Sequence, residues 1–401
     1  MTMMLEITCR DSIVARDGRP FGAGQGNRMR SFDWPLPSVL AGSLRTTLGK
    51  AAKRDFSPEA AEDLLQVEVA GPLPRTREQL YLPAPEDCVL HPDGRVLRAV
   101  PQREADGGCD WPNGAPLRPV GLTQAQASED FKPAEAPAWW PPDRYAAWLA
   151  GEDIAFDEHF LCSAEKDERT HVKIDPAVGA SEESQLFTTA ALALSHLPRY
   201  RMETKREDST KPKKACRKET GLSRFVEIML SARIRAGGWC EEVAAKLDAL
   251  HPFGGERRLA HWKTGADVAA WQCPPKLRGA LAQAQRVRMI LTTPAVFSDG
   301  WRPGWLGVEL EGSPPGANAR LRLVGVSIAR WKAVSGWSLA HRPEQPRGPK
   351  AVKRMVPAGG VYFFEIVDGN AAALADRWLE PVSDDVQDRR DGFGLAVWGT
   401  W

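Results

Sequence analysis

The sequence predicts an α+β fold built twice over, and three observations carry that expectation. In the first half, alternating or extended runs at Met3–Cys9, Phe225–Ile234 and Phe253–Leu259 are interleaved with helical spacing after Ser38 and over Cys240–Leu250. In the second half, strand runs at Val287–Phe297, Arg320–Ile328, Val361–Ile366 and Phe393–Trp398 surround helical spacing at Ala371–Trp378. At 401 residues the chain is also long enough for two cores. A β-α-β-β-α-β order met twice predicts two ferredoxin-like domains, the layout of the RNA-binding RRM, with inserted loops. The boundaries expected are 1–265 and 266–401. Fold alone assigns no function.

Each element has a local reason. Met3, Leu5 and Ile7 alternate with more polar neighbours, as a half-buried strand requires. Arg16–Arg30 is a glycine-rich loop carrying Arg16, Arg19, Arg28 and Arg30. It does not pass from a strand directly into a helix, so the dinucleotide fingerprint fails. It reads either as a plain surface loop or as a loop whose arginines close on phosphates. Trp34-Pro-Leu-Pro-Ser38 then opens a helix, with proline in the first turn and Ser38 as N-cap. Leu36, Leu40, Leu44 and Leu48 form its apolar stripe, Gly49 is expected to end it, and Gly42 suits a close approach to a sheet or ligand or is a tolerated imperfection. From about 72 to 150 the composition turns to proline, glycine and isolated aromatics, which reads as an insertion with small hairpins rather than a core of its own. Residues 199–224 are dense in lysine and arginine, either a solvated loop or an arm for phosphates.

Two hairpins stand out. Residues 169–189 alternate polar and apolar, turn through Pro176–Ala180 and resume at Leu186-Phe187, predicting a projecting β-hairpin with His171 and Lys173 on one face. Near the C-terminus, Ala351–Val356 and Val361–Ile366 flank Pro357-Ala-Gly-Gly360, a strong turn signal. The first of these arms is cationic, through Lys350, Lys353 and Arg354; the second is almost wholly apolar. The expectation is a hairpin buried on one side, with the strand at Phe393–Trp398 pairing beside it.

Composition bounds the function. Fifty-three basic residues against 52 acidic ones leave a net charge of +1, so any polyanion surface must come from local clustering. The seven cysteines are scattered, odd in number and lack a CxxC pair, which disfavours a disulfide framework or zinc site and fits a reducing cytoplasm. No run approaches the roughly 20 apolar residues of a membrane span. A soluble cytoplasmic protein without metal or cofactor is expected.

Several separated stretches resemble one known group. Ser31-Phe-Asp-Trp-Pro-Leu-Pro-Ser-Val-Leu-Ala-Gly-Ser-Leu-Arg45 is similar to the first-helix motif of the CRISPR RAMP superfamily, and His171-Val-Lys-Ile-Asp-Pro176 with Glu183-Ser-Gln-Leu-Phe-Thr188 to its thumb-hairpin signature. Phe253-Gly-Gly-Glu-Arg-Arg-Leu-Ala260, Leu291-Thr-Thr-Pro-Ala-Val-Phe297, Gly300-Trp-Arg-Pro-Gly-Trp-Leu306, Ala333-Val-Ser-Gly-Trp337 and Gly348–Gly359 narrow the resemblance to the third subunit of the type III-B, or Cmr, effector complex. The resemblance implies a noncatalytic subunit that holds the 5′ handle of the CRISPR RNA. It also implies contact with the large Palm-domain subunit and a backbone RAMP subunit, and only indirect contact with target RNA. By location and chemistry the RNA-binding candidates are Arg28 and Arg30 on the glycine-rich loop, His171 and Lys173 on the thumb, and Lys350, Lys353 and Arg354 on the basic arm. Arginine grips phosphate with parallel hydrogen bonds, and lysine acts as a point charge. The alternative is a metal-independent endoribonuclease with His171 as general base, which lacks a placed second acid or base. A purely protein-binding subunit is a third reading.

Overall fold

The computed structural model describes residues 2–17, 27–102, 117–123, 126, 130–201, 224–265, 269–338 and 348–401. Residues 202–223, most of the basic run, and the loop tip at 18–26 with Arg19 lie outside them. In chain order the first half contains β1 (Thr2–Cys9), β2 (Asn27–Arg28), α1 (Pro37–Ala51), α2 (Pro58–Leu65) and β3 (Glu68–Arg75). There follow α3 (Pro142–Leu149), β4 (Lys166–Ile174), β5 (Ser181–Leu192), β6 (Met229–Arg235), α4 (Gly238–Ala244), β7 (Asp248–Pro252) and β8 (Leu259–Gly265). Its main sheet is antiparallel, in the order β7-β8-β1-β6-β3. Leu40, Leu44 and Leu48 of α1 are fully buried in one core with Leu5, Ile7, Leu230, Ile234 and Trp262. That is the predicted stripe meeting the predicted strands.

The second half contains α5 (Pro275–Ala282), β9 (Arg286–Leu291), β10 (Glu311–Gly312), β11 (Arg320–Ser327), β12 (Lys332–Val334) and β13 (Lys353–Met355). It ends with β14 (Val361–Asp368), α6 (Ala372–Ala375), β15 (Glu380–Pro381), α7 (Val386–Arg390) and β16 (Leu395–Thr400). Its six-stranded antiparallel sheet runs β10-β11-β14-β9-β16-β15. No helix lies between β9 and β11. The loop after β9 does a helix's packing instead: the Tyr362 hydroxyl donates to the Trp301 carbonyl at 2.6 Å, and Trp305 lies against Phe364, with ring centroids 5.7 Å apart.

The predicted C-terminal hairpin does not form. Strand β13 pairs with β12, while β14 pairs with β9 and β11. The reason is burial. Val361, Tyr362, Phe363 and Phe364 are all fully buried, on both faces of the sheet, and a strand buried on both faces takes apolar neighbours rather than a cationic one. Pro357–Gly360 still turns the chain, but from one sheet to another. Gly359 sits there at φ +89°, the left-handed region glycine enters without cost. Strand β16 joins the same sheet as β14, with β9 between them.

Smaller differences have equally local causes. The N-cap of α1 is Leu36 rather than Ser38, and the helix runs through Gly49 to Ala51. Nothing stands within 4 Å of where a Cβ on Gly42 would lie, so that glycine serves no close approach. The helix predicted over Cys240–Leu250 stops at Ala244, and Asp248–Pro252 becomes an edge strand on β8. Helical spacing puts Leu247 and Leu250 on one face, whereas Leu250 lies on the strand 58% exposed and only Leu247 is buried.

The insertion forms the small hairpins expected, Cys88–Leu90 with Val96–Arg98 and Val100–Pro101 with Val120–Gly121, and its aromatics pack into a core shared with the second sheet. Trp140, Tyr145, Trp148, Phe156 and Phe160 are buried together, with Trp140 edge-on to the other four rings at centroid distances of 5.3–5.9 Å. This aromatic knot is continuous with the core of the second sheet. Arg288 and Gly399 are cross-strand partners and so share a face. Arg288 donates to the Asp87 carboxylate and the Trp148 carbonyl, and Leu149 lies against Gly399. Gly325, aligned with both through Phe363, gives Val120 and Pro101 their close approach. A segment interrupting the first half thus covers one face of the second. Buried charge ties the halves further. Arg45 of α1 donates to Asp391 at 2.5 Å, and Glu380 receives Arg233 at 2.9 Å and Arg235 at 2.5 Å.

Candidate nucleic-acid interface

The projecting hairpin forms as the alternation predicts. Strands β4 and β5 pair antiparallel, and Asp175 closes the turn, its carboxylate accepting the Ala177 N–H at 2.8 Å. Gly179 follows at φ +67°. The short strand β2 lies parallel to β5 opposite Phe187 and Thr188, making a three-stranded sheet. That pairing brings Arg28 to the hairpin, where its guanidinium meets Glu168 at 2.6 Å on an open surface. Arg30 is exposed, and its carbonyl accepts the Asp17 N–H at 3.0 Å, pinning the two ends of the glycine-rich loop.

His171 stacks on Phe187 across the hairpin, with centroids 5.1 Å apart and planes 16° from parallel. Its Nε2 lies 2.8 Å from the Thr189 hydroxyl. Lys173 is exposed two residues further on, where the register slips between Val172 and Ile174. The strict alternation that would give His171 and Lys173 one face is interrupted there. A hydroxyl orients the imidazole but supplies no carboxylate to support it as a base.

The basic arm sits elsewhere. In the β12–β13 ladder Ala333 faces Arg354 and Val334 faces Lys353. Lys350 is half-buried, its N–H donating to the Gly336 carbonyl at 2.7 Å. Lys353 reaches both oxygens of Asp388, at 3.0 and 2.8 Å. Burial raises the Asp388 carboxyl above its ordinary value, and Lys353 offsets only part of that. Arg354 is exposed, with its guanidinium carbon 5.0 Å from the Trp331 ring centroid.

One carboxylate connects the two clusters. Asp33 takes Lys166, at the root of the thumb, at 3.0 Å, and Lys332 of β12 at 3.5 Å. Burial pushes the Asp33 carboxyl up, but Lys166 and then Lys332 outweigh it, and the group sits below its ordinary value. Arg28, His171 and Lys173 thus belong to one small sheet, with Arg30 two residues past its edge strand, and the base of that sheet is tied, through Asp33, to the ladder carrying Lys353 and Arg354. Sequence reasoning missed Asp33, Lys166, Lys332 and the aromatic between Arg330 and Lys332. The last had a signal, a tryptophan flanked on both sides by basic residues.

Beside Lys353 and Arg354 lies a cleft of ≈ 550 Å³, lined also by Val296–Gly300, Asp384, Asp385 and Asp388. Its acids already hold structure. Asp384 accepts the N–H groups of Ser298 and Gly304, both at 2.8 Å, and Asp385 caps α7 by accepting the Gln387 and Asp388 N–H groups. Among the described residues no three His, Cys, Asp or Glu side chains are grouped to hold a metal, and no helix is long and apolar enough to cross a membrane.

No curated protein matches the chain. Among solved structures it is similar to a chain of the type III-B Cmr-beta complex bound to cognate target RNA, at 12% identity and TM-score 0.44, over 90% of this chain and 86% of that one. The same complex with target RNA and AMPPnP gives 12% and 0.42, with the same coverage. A chain of the Csm3–Csm4 subcomplex of a type III-A interference complex gives 9% and 0.35, over 92% of this chain and 95% of that one. At such TM-scores these likenesses add nothing to the family assignment, which stands without them. The family described as CRISPR-associated protein (Cas_Cmr3) matches residues 5–401, and the chain belongs to it.

Proposed function

We propose that this chain is the noncatalytic subunit of a type III-B (Cmr) RNA-guided effector that grips the 5′ handle of the CRISPR RNA. In this reading it joins the large Palm-domain subunit to the backbone RAMP filament, and meets target RNA only through the guide. The two halves, 1–265 and 266–401, are ferredoxin-like domains. In each main sheet the four long strands lie in the spatial order fourth, first, third, second, which supports that reading. The observation that carries the function is the Asp33 bridge, which puts the thumb and the basic ladder on one connected surface. Arg28, Arg30 and Lys173 are the thumb-side phosphate contacts, His171 faces the guide, and Lys350, Lys353 and Arg354 receive the handle. Joint replacement of Lys350, Lys353 and Arg354 by alanine in the assembled complex tests it. Handle affinity falls, and the salt dependence becomes shallower by about 0.7 in log–log slope for each lost phosphate contact. Full affinity with an unchanged slope sinks the proposal.

A further inference from the structure

We propose that Trp331 is a stacking platform for one unpaired nucleobase, an inference that rests on the RNA-binding reading and names a contact within it. Tryptophan is a core residue in this chain: among those whose side chains are described, all but one are buried or half-buried. Trp331 is the exception, at 49% exposure. It sits between exposed Arg330 and Lys332 and just ahead of β12. Lys332 pairs with Met355 in the β12–β13 ladder, so the backbone on the C-terminal side of the indole is anchored.

The ring is already half of a stack. The Arg354 guanidinium lies 5.0 Å from its centroid, and Arg354 is itself fixed in the ladder opposite Ala333. A guanidinium on an indole holds the ring in one orientation, and its charge stays close enough to meet a phosphate. An exposed indole backed by a cation and flanked by basic side chains is the arrangement by which single-stranded nucleic acid is held without base-pair readout. The ligand class is therefore a single-stranded RNA segment. One base lies on Trp331 and adjoining phosphates lie toward Arg330 and Arg354.

The test uses the assembled complex carrying the full chain and a guide RNA labelled at its 3′ end. Trp331→Ala weakens handle binding about 5- to 150-fold, the range one stacked base commands. Trp331→Phe restores most of it. An abasic nucleotide scanned through the handle weakens binding by the native complex at one position, and that position has no further effect in Trp331→Ala. A half-exposed side chain leaves thermal stability unchanged when removed, and a melting curve of the variant checks this. If Trp331→Ala binds like the native chain while the Lys350/Lys353/Arg354 variant loses affinity, the stacking proposal fails and the RNA-binding reading survives. If neither variant loses affinity, both fail. If Trp331→Ala instead dissociates a neighbouring subunit at full RNA affinity, the indole is a protein contact and the proposal is overturned.

Discussion

At the scale of single residues, the strongest commitments are buried charges rather than exposed ones. Arg288 and Asp87 are both wholly removed from water and face each other. Arg288→Ala would strand a carboxylate in the core, and the expected loss is about 3–5 kcal/mol, read from urea unfolding. Double replacement by an apolar pair of matched volume should cost much less. Glu380, with 10% side-chain exposure, is pushed up by burial, yet Arg235 and Arg233 pull it below the ordinary carboxylate value. Its contribution to stability is complete above the ordinary carboxylate range and is lost as pH falls through the lowered value. Asp33 follows the same sign, but its side chain is 61% exposed, so water screens the pair and the effect is small. Acid titration of thermal stability should therefore flatten clearly in Glu380→Gln and hardly in Asp33→Asn. An equal response in both would place the acid sensitivity elsewhere.

At the scale of elements, local pattern was legible and pairing was not. The thumb could be read because alternation, turn residues and register all reside within one short stretch. The β13–β14 hairpin was misread because its turn signal is real while its partners are remote: β12 for one arm, β9 and β11 for the other. An all-apolar run such as Val361–Phe364 indicates two covered faces, and that was the available clue. Of the candidate site, Arg28, Arg30, Lys173, Lys350, Lys353 and Arg354 were singled out from the sequence, but Lys166, Lys332 and the Asp33 bridge were not, because Asp33 and Lys332 stand 299 positions apart. Glycine at 399 carries its own prediction. A Cβ there would stand 2.7 Å from the Leu149 side chain, so Gly399→Val should push α3 off the sheet. Limited proteolysis should then cut within the insertion, and native-like resistance would show that the sheet yields instead.

At the scale of the whole molecule, the two halves are topologically separate and physically interleaved. Met4 and Leu73 of the first half belong to the core that holds β9 and β16, while Val296 and Phe393 of the second belong to the core around α1. Residues 266–401 expressed alone would expose one face of their sheet, because the cover comes from the insertion. That fragment should bind a hydrophobic dye and lack a cooperative melt, whereas co-expression with 1–265 should restore one. A stable isolated fragment would mean that the second sheet needs no such cover.

The insertion that covers the second sheet also sets an order of events. Leu149 and Thr400 touch although 251 positions separate them, and the contact lies one residue from the chain's last tryptophan. At roughly 5–20 residues per second of synthesis, the aromatic knot waits about 12–50 s for the strand it will rest on. During that interval Trp140 and Trp148 have only first-half residues such as Met4, Phe160 and Tyr200 for shelter. The second half is completed by a part of the first that was made long before it, so the two halves close together rather than one after the other as they emerge.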